Sequence, residues 1–236
     1  MSAEAPPEVR LILIDDHVAL REPLAFMLGL EPDLFVIGQA DSLDEARRLL
    51  GETGEVDVAI LDLDLPDGSG VDFIGDLRAS RPEAMVLILT AFSGREQLAE
   101  AIEAGASGIA HKSTRPQDVV KAIRRLYTGE QLLSQREITE ALRLVFRERE
   151  KSRDAQLLVE RLTPREHEVL QTLAEGYSSD REIAERLYVG TGTAHTHVVS
   201  ILAKLEVQSR LQALVFAARH GIVDINGQHD GEPDGE

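Results

Sequence analysis

In the first half of the chain, short apolar runs alternate with segments whose apolar residues recur every three or four positions. Short apolar runs bounded by turn residues are typical of buried strands, and the longer spacing is typical of helices. The apolar runs predict five strands: Val9–Ile14, Leu34–Ile37, Val58–Leu61, Met85–Leu89 and Gly108–Ala110. The segments between them predict five helices: His17–Leu30, Ser42–Leu50, Val71–Ala79, Arg95–Ala104 and Pro116–Tyr127. This alternation favours an α/β fold with a five-stranded, doubly wound parallel sheet.

After residue 130 the strand pattern stops and helical spacing continues alone. Residues 131–160 predict an amphipathic linker helix, because charges of both signs surround apolar residues at helical spacing. Those apolar residues are Ile138, Leu142, Val145 and Phe146. They are expected to pack within the chain or against a second copy.

Residues 161–223 predict an all-α domain of four helices. Its first helix has a start signal, in which Thr163 is the cap and Glu166 completes a capping box. Two further helices, Arg181–Leu187 and Thr193–Leu205, are separated by a turn that contains Gly190. Two short helices around such a turn form a helix-turn-helix, of which the second is the recognition helix.

Length and composition agree with two domains and a soluble protein. A chain of 236 residues exceeds the usual size of one domain, so we expect domains at 1–130 and 161–223, a linker at 131–160 and a disordered acidic tail at 224–236. The chain contains no cysteine, which excludes a disulfide framework. No apolar run approaches the length that spans a membrane, so a cytoplasmic protein without membrane contact is expected.

The charge is strongly negative and unevenly distributed. The net charge is −17, and residues 1–130 carry 24 acidic and 12 basic residues. Residues 161–220 carry seven of each sign. Proteins that bind nucleic acid usually have a basic patch, and this charge distribution does not indicate one.

Polar residues follow four of the predicted strands at the end where each strand stops. They are Asp15 and Asp16 after the first strand, Asp62 after the third, Thr90 after the fourth and Lys112 after the fifth. Each alone has an ordinary reading: a turn aspartate, a helix cap, a strand-end hydroxyl or a solvated lysine. The carboxyl ends of parallel strands converge on one edge, however, so all these side chains are expected in one crevice.

The residue types in that crevice suit a divalent metal and a phosphoryl group. Mg²⁺ prefers a few carboxylates and leaves positions open for water and phosphate oxygens. A carboxylate nucleophile can attack a phosphoryl group held by that metal and form an aspartyl phosphate. Lysine and threonine would contact the phosphate oxygens. His17 lies beside these acids and could also bind a metal, but its position favours the interpretation as a residue at the start of a helix.

Four motifs stand at the ends of the predicted strands: Asp15-Asp16-His17, the run from Leu61 to Gly70, the run from Ile88 to Ala91, and Gly105-Ala106 before Lys112. With these motifs, residues 9–130 resemble the flavodoxin-like receiver domain of two-component response regulators. The resemblance implies that Asp62 accepts the phosphoryl group. It also implies that Asp15, Asp16, Asp62 and the backbone carbonyl of Asp64 hold Mg²⁺, and that Thr90 and Lys112 contact the phosphoryl group. Many receivers carry an aromatic residue where this chain has Ile109. Asp64 and Phe92 stand where family members tune the lifetime of the acyl phosphate.

The helical domain contains the runs Leu162–Glu166, Glu168–Leu170, Ala174–Gly176 and Glu182–Leu187, together with Gly192-Thr193, His197-Val198 and Lys204-Leu205. With these motifs, residues 161–223 resemble the LuxR-type DNA-binding domain of NarL/FixJ-type response regulators. The resemblance implies DNA contacts from the recognition helix, at Thr193, His195, Thr196, Val199 and Lys204. The family usually has lysine at the place of His195, and Lys204 is the only cation on this helix.

Together the two resemblances imply a response regulator that a sensor histidine kinase phosphorylates on Asp62, with Mg²⁺ as cofactor. The active form is expected to be a homodimer that binds inverted-repeat promoter sites and regulates transcription. The weak basicity of the recognition helix leaves an alternative, a regulator whose C-terminal domain binds a protein. A phosphatase of the haloacid dehalogenase type also uses an aspartyl phosphate, but here the acidic pair lies upstream of Asp62 and Pro66 breaks the motif. The chain is therefore not expected to be an enzyme, apart from possible self-dephosphorylation.

Overall fold

The computed structural model describes residues 8–91, 95–130, 132 and 153–223. The expectations for the apolar face of the linker helix, for Phe92 and for the tail at 224–236 concern residues outside those ranges. Among the described residues, no helix combines the length and the apolar character that crossing a membrane requires.

The N-terminal part of the fold is built on one parallel sheet of five strands. They are β1 (Val9–Ile14), β2 (Leu34–Ala40), β3 (Val58–Leu61), β6 (Met85–Thr90) and β7 (Gly108–His111), in the spatial order β2-β1-β3-β6-β7. Two short strands, β4 (Asp64–Leu65) and β5 (Gly68–Ser69), form a separate antiparallel hairpin after β3. The sheet confirms the predicted fold class. The hairpin is too short for a hydrophobic pattern to reveal it.

Five helices cover the two faces of this sheet, and each face has its own apolar core. They are α1 (Val18–Leu28), α2 (Leu43–Glu52), α3 (Gly70–Ser80), α4 (Arg95–Glu103) and α5 (Pro116–Tyr127). The central strands are buried on both faces, as their continuous apolar runs require. Strand β6 continues through Thr90, one residue beyond the predicted end, so this hydroxyl belongs to the last position of the strand.

The C-terminal part of the described chain is all helical. Its helices are α6 (Arg153–Glu160), α7 (Pro164–Ala174), α8 (Asp180–Leu187), α9 (Thr191–Leu205) and α10 (Arg210–Arg219). The predicted capping box at the start of α7 is present: Glu166 N–H donates to Thr163 Oγ1 at 3.3 Å, and Thr163 N–H donates to Glu166 Oε2 at 2.6 Å. Helices α7 to α10 share one apolar core, which agrees with the predicted four-helix domain.

The turn between α8 and α9 differs from the sequence expectation. Its left-handed residue is Tyr188, with φ 54° and 94% of its surface exposed, whereas Gly190 has φ −72° and caps α9. Tyr188, and not the glycine of the turn, therefore adopts the left-handed conformation that usually favours glycine. Helix α9 consequently begins at Thr191, two residues before the predicted start.

The two parts of the chain meet through α4 and α10. Ser209 Oγ donates to the carbonyl of Ala106 at 3.0 Å, and Gln212 Nε2 donates to the carbonyl of Glu103 at 2.7 Å. Arg219 forms an ion pair with the Glu103 carboxylate. Ile102 and Ile109 also pack against the apolar core of α7 to α10.

Candidate functional site

Three carboxylates converge at the carboxyl edge of the central sheet. Asp15 and Asp16 directly follow β1, and Asp62 directly follows β3. The backbone joins these positions, because Asp62 N–H donates to the carbonyl of Ile14 at 2.8 Å. One ligand atom from each of Asp15, Asp16, His17 and Asp62 lies within 4.8 Å of the others. The parallel topology therefore brings together the acidic residues that the sequence predicted would meet.

The Lys112 ammonium lies between two of these carboxylates. Its Nζ is 2.5 Å from Asp62 Oδ2 and 2.9 Å from Asp15 Oδ2. Burial opposes the charge on Lys112, but its hydrogen bonds to the two carboxylates outweigh burial and raise its pKa. The predicted phosphoryl-contact lysine is thus in place beside the predicted phosphoacceptor.

Asp62 is almost completely enclosed, with 2% of its surface exposed. Burial raises the pKa of its carboxyl, and the nearby charge of Asp15 acts in the same direction. Lys112 and the backbone N–H of Asp64, which donates to Asp62 Oδ1 at 3.3 Å, oppose that rise without cancelling it. The carboxylate is therefore poorly compensated, a property common at functional sites.

Thr90 lies at the same edge of the sheet and is buried. It is the last residue of β6 and pairs with His111 of β7. Its carbonyl accepts a hydrogen bond from Lys112 N–H at 2.7 Å. The backbone thus links Thr90, the predicted phosphoryl-contact threonine, to the lysine that contacts Asp62.

The loop after Asp62 has a steric requirement that sequence reasoning did not identify. A Cβ atom at Gly70 would lie 2.2 Å from the carbonyl oxygen of Asp62 and 3.0 Å from Cα of Leu63. Real side chains do not approach a backbone so closely, so only glycine lets α3 begin against the Asp62 segment. The Gly70 in the motif Asp67-Gly68-Ser69-Gly70 was the available signal.

The predicted DNA-facing residues occupy the exposed side of α9, with one exception. Thr193, His195 and Thr196 are exposed, and Val199 keeps 51% of its surface accessible. Lys204 instead turns toward α7, where its Nζ lies 2.8 and 2.7 Å from the two oxygens of Glu166. Burial would raise the Glu166 pKa, but Lys204, Ser200 and Thr163 lower it to about 2.

Each cation of residues 161–223 has an acidic partner. Seven arginine and lysine residues occur in this range. Their ion pairs are Arg161–Glu206, Arg165–Glu168, Arg181–Glu185, Arg186–Glu175, Lys204–Glu166, Arg210–Asp180 and Arg219–Glu103. Six of these partners lie within residues 161–223, and Arg219 pairs with Glu103 of α4.

Comparison with known proteins identifies both parts. Residues 11–124 match the response regulator receiver domain, and residues 160–217 match the luxR family of bacterial regulatory proteins. A Bacillus subtilis transcriptional regulatory protein, YxjL, is 35% identical over 216 residues, which cover 92% of this chain and 98% of that protein. The chain is a LuxR-type response regulator. The family resemblance predicted from the sequence motifs is confirmed.

Two further proteins are similar to this response regulator, one in sequence and one in structure. DevR/DosR of Mycobacterium tuberculosis, a DNA-binding transcriptional activator, is 35% identical over 209 residues that cover 89% of this chain and 94% of that protein. The crystal structure of a LuxR-family two-component response regulator from Aurantimonas sp. SI85-9A1 aligns with a TM-score of 0.52 and 32% identity. That alignment covers 58% of this chain and 96% of that one.

Proposed function

We propose that this response regulator accepts a phosphoryl group on Asp62 from a sensor histidine kinase and controls transcription by binding DNA. The observation that supports phosphorylation of Asp62 most directly is the cluster of Asp15, Asp16, Asp62 and Lys112 at one edge of the sheet. The Lys112 ammonium already lies where it would meet a phosphoryl oxygen on Asp62, as a phosphate-binding point charge does.

Mg²⁺ fits the donors present at this edge. Asp15, Asp16 and Asp62 supply hard oxygen ligands, and the resemblance to receivers adds the backbone carbonyl of Asp64. When bound, the metal would neutralise charge on the phosphoryl oxygens. The pKa of Asp62 is raised because Lys112 compensates the negative charge only in part. A bound metal ion would add the missing compensation. His17 Nδ1 lies 2.5 Å from Asp16 Oδ1, and this contact would orient the Asp16 carboxylate.

Labelling by a small phosphodonor tests the acceptor directly. The full chain is incubated with radiolabelled acetyl phosphate and Mg²⁺, and the covalently bound label is counted. Asp62→Asn should lose the label, because the amide cannot act as the nucleophile. Asp72→Asn, an exposed aspartate of α3, should keep it. Label retained by Asp62→Asn would refute the assignment of the acceptor. The same experiment run over time measures any self-dephosphorylation.

Control of the output domain is proposed to pass through the contact between α4 and α10. Thr90 and Ile109 lie on the neighbouring strands β6 and β7, and Ile109 packs against the core of the C-terminal domain. The contact leaves the DNA-facing side of α9 exposed. Because α9 is not covered, phosphorylation would not act by uncovering it. Phosphorylation would instead change the relative position of the two domains and the ability of two copies to dimerise.

A charge exchange at this contact tests the proposed control. Glu103→Arg and Arg219→Glu each place like charges together, and each should raise DNA binding by the unphosphorylated protein. The double variant restores an attractive pair and should return binding to the wild-type level. Equal binding by all four proteins would show that this contact does not restrain the output domain.

One observation favours a second candidate, a C-terminal domain that binds a protein. All seven cations of residues 161–223 are paired, and His195 stands where the family usually has lysine. Exposed ion pairs contribute only about 0–1 kcal/mol, however, so surface arginines can exchange their carboxylates for phosphates. DNA binding therefore remains the function that the structure supports better. Selection of genomic fragments distinguishes the two candidates, because a protein-binding domain would enrich none.

A further inference from the structure

The recognition helix contains an imidazole that a buried ion pair holds in one orientation. His195 Nδ1 lies 2.9 Å from Asp180 Oδ2, while Arg210 pairs with the other oxygen, Oδ1. Arg210 is 8% exposed and also donates to the carbonyl of Ser178 at 2.7 Å. The His195 side chain itself is 63% exposed. A buried arginine, an aspartate and an exposed histidine thus form a chain that ends on the DNA-facing side of α9.

The arrangement decides which nitrogen of His195 carries a proton. Arg210 is a permanent cation, and it pairs with one oxygen of the Asp180 carboxylate. An ionised carboxylate only accepts hydrogen bonds, so Nδ1 must donate, and the neutral ring has its proton there. The second proton can then enter only at Nε2, on the side of the ring away from Asp180. Protonation converts Nε2 from an acceptor into a cationic donor.

We propose that His195 is a pH-dependent DNA-reading residue and that Asp180 is its positioning residue. In the protonated form, Nε2–H would donate to an acceptor on DNA, either guanine N7 or O6 or a phosphate oxygen. The inference rests on the proposed DNA binding. Protonation of His195 would give α9 a cation on its DNA-facing side, although Lys204, the only lysine of that helix, is bound to Glu166.

Other charged groups near His195 do not replace this role. Arg210 lies behind Asp180 and is buried. Arg181, the next residue of α8, pairs with Glu185. On α9 itself, the other titratable groups are His197 and Lys204, and the ammonium of Lys204 faces α7. His197 is therefore a suitable matched control on the same helix.

The affinity of the full chain for DNA, with beryllofluoride as the phosphoryl mimic, tests the proposal at constant ionic strength from pH 5.5 to 8.0. The wild type and His197→Gln should bind roughly tenfold more weakly at the higher pH, the lower end of what one base contact contributes. His195→Lys should bind without this pH dependence, and His195→Gln should bind weakly throughout. A guanine contact would change the selected sequence in His195→Gln. A phosphate contact would instead lower the salt slope by about 1 per site.

A second measurement reads the tautomer without DNA. Long-range ¹H–¹⁵N spectra of the full chain at high pH should show His195 protonated at Nδ1, and Asp180→Asn should remove that preference. A neutral His195 protonated at Nε2 would overturn the positioning role. Wild-type binding that does not change with pH, while DNA is still bound, overturns the inference alone. If no protein in the series binds DNA at any pH, both the inference and the proposed DNA binding are overturned.

Discussion

Two buried carboxylates, Asp62 in the receiver domain and Glu166 in the helical domain, are held in opposite electrostatic states. Burial dominates at Asp62 and raises its pKa. At Glu166 burial acts in the same direction, but Lys204, Ser200 and Thr163 donate to the two oxygens and lower the pKa to about 2. All the acceptor capacity of Glu166 is used within the fold, whereas Asp62 keeps capacity for a metal and a phosphoryl group. The hydrogen bonds within the fold thus outweigh burial at Glu166, whereas they do not outweigh it at the proposed phosphoacceptor Asp62.

The largest effect is expected when Glu166 loses its charge. Glu166→Gln leaves Lys204 without its carboxylate and should destabilise the helical domain by about 3 kcal/mol, as the loss of one partner of a buried pair does. Hydrogen exchange of the amides in α7 to α9 reads this domain separately from the receiver. Glu168→Gln breaks an exposed pair with Arg165 and should change stability by less than about 1 kcal/mol. Equal effects of the two substitutions would contradict the comparison.

The pH dependence of the helical domain should follow from the same pair. Because the folded-state pKa of Glu166 is lowered from 4.5 to about 2, its stabilisation is complete above about pH 4.5 and is lost as the pH falls toward 2. Hydrogen exchange of the same amides between pH 5 and pH 2 should show this loss in the wild type. Glu166→Gln should lack that component of the acid sensitivity, and an identical acid profile would refute the role of Glu166.

The ionised carboxylate of Asp62 should lower the stability of the receiver, whereas that of Glu166 raises the stability of the helical domain. A raised pKa means that the ionised form destabilises the folded receiver, and this cost appears as the pH rises above the unfolded value of 3.8. In the absence of Mg²⁺, Asp62→Asn should therefore stabilise the receiver by about 1 kcal/mol at neutral pH, a gain typical of relieving functional strain. Denaturant titration followed by hydrogen exchange of the sheet amides measures the change.

Asp33 provides the matched control within the receiver. It is also buried, but Arg124 donates to it and lowers its pKa. Asp33→Asn should consequently destabilise the receiver, because it removes a compensated charge. If Asp62→Asn and Asp33→Asn shifted stability in the same direction, the contrast between functional and structural carboxylates would fail.

The smallest effect on stability is expected at the exposed pair between Arg181 and Glu185. Their side chains are 80% and 73% exposed, so Arg181→Gln should change stability by less than about 0.5 kcal/mol. The first helix of a helix-turn-helix crosses the DNA backbone, and Arg181 lies in its first turn. The salt slope of DNA binding should then fall by about 1 per half-site. An unchanged slope would show that Arg181 stays with Glu185 in the complex.

The sequence predicted the sheet and the acidic site because both depend on short-range patterns. Apolar runs specify strands, and parallel topology sends every strand end to one edge, so Asp15, Asp62 and Lys112 were predictable as neighbours. The contacts of Lys112 with Asp15 and Asp62 were not predicted, and the structure adds them to that placement.

The side-chain pairs of the helical domain were not predictable in this way. The pairing of Lys204 with Glu166 and that of His195 with Asp180 join residues that periodicity places on separate helices without fixing their facing sides. The resemblance to LuxR-type domains implied that Lys204 contacts DNA, and it did not indicate that the Lys204 ammonium pairs with Glu166. The left-handed conformation of Tyr188 was not predicted either, because residues other than glycine rarely adopt a positive φ.

The central claim is that phosphorylation of the receiver controls DNA binding. The most direct measurement is selection of bound genomic fragments by the full chain, with and without beryllofluoride, at low and moderate salt. We expect the selection to enrich an inverted repeat. This enrichment should require beryllofluoride and should be lost in Asp62→Asn. No enrichment, with beryllofluoride shown to be bound at Asp62, would contradict it and indicate a protein partner for the helical domain.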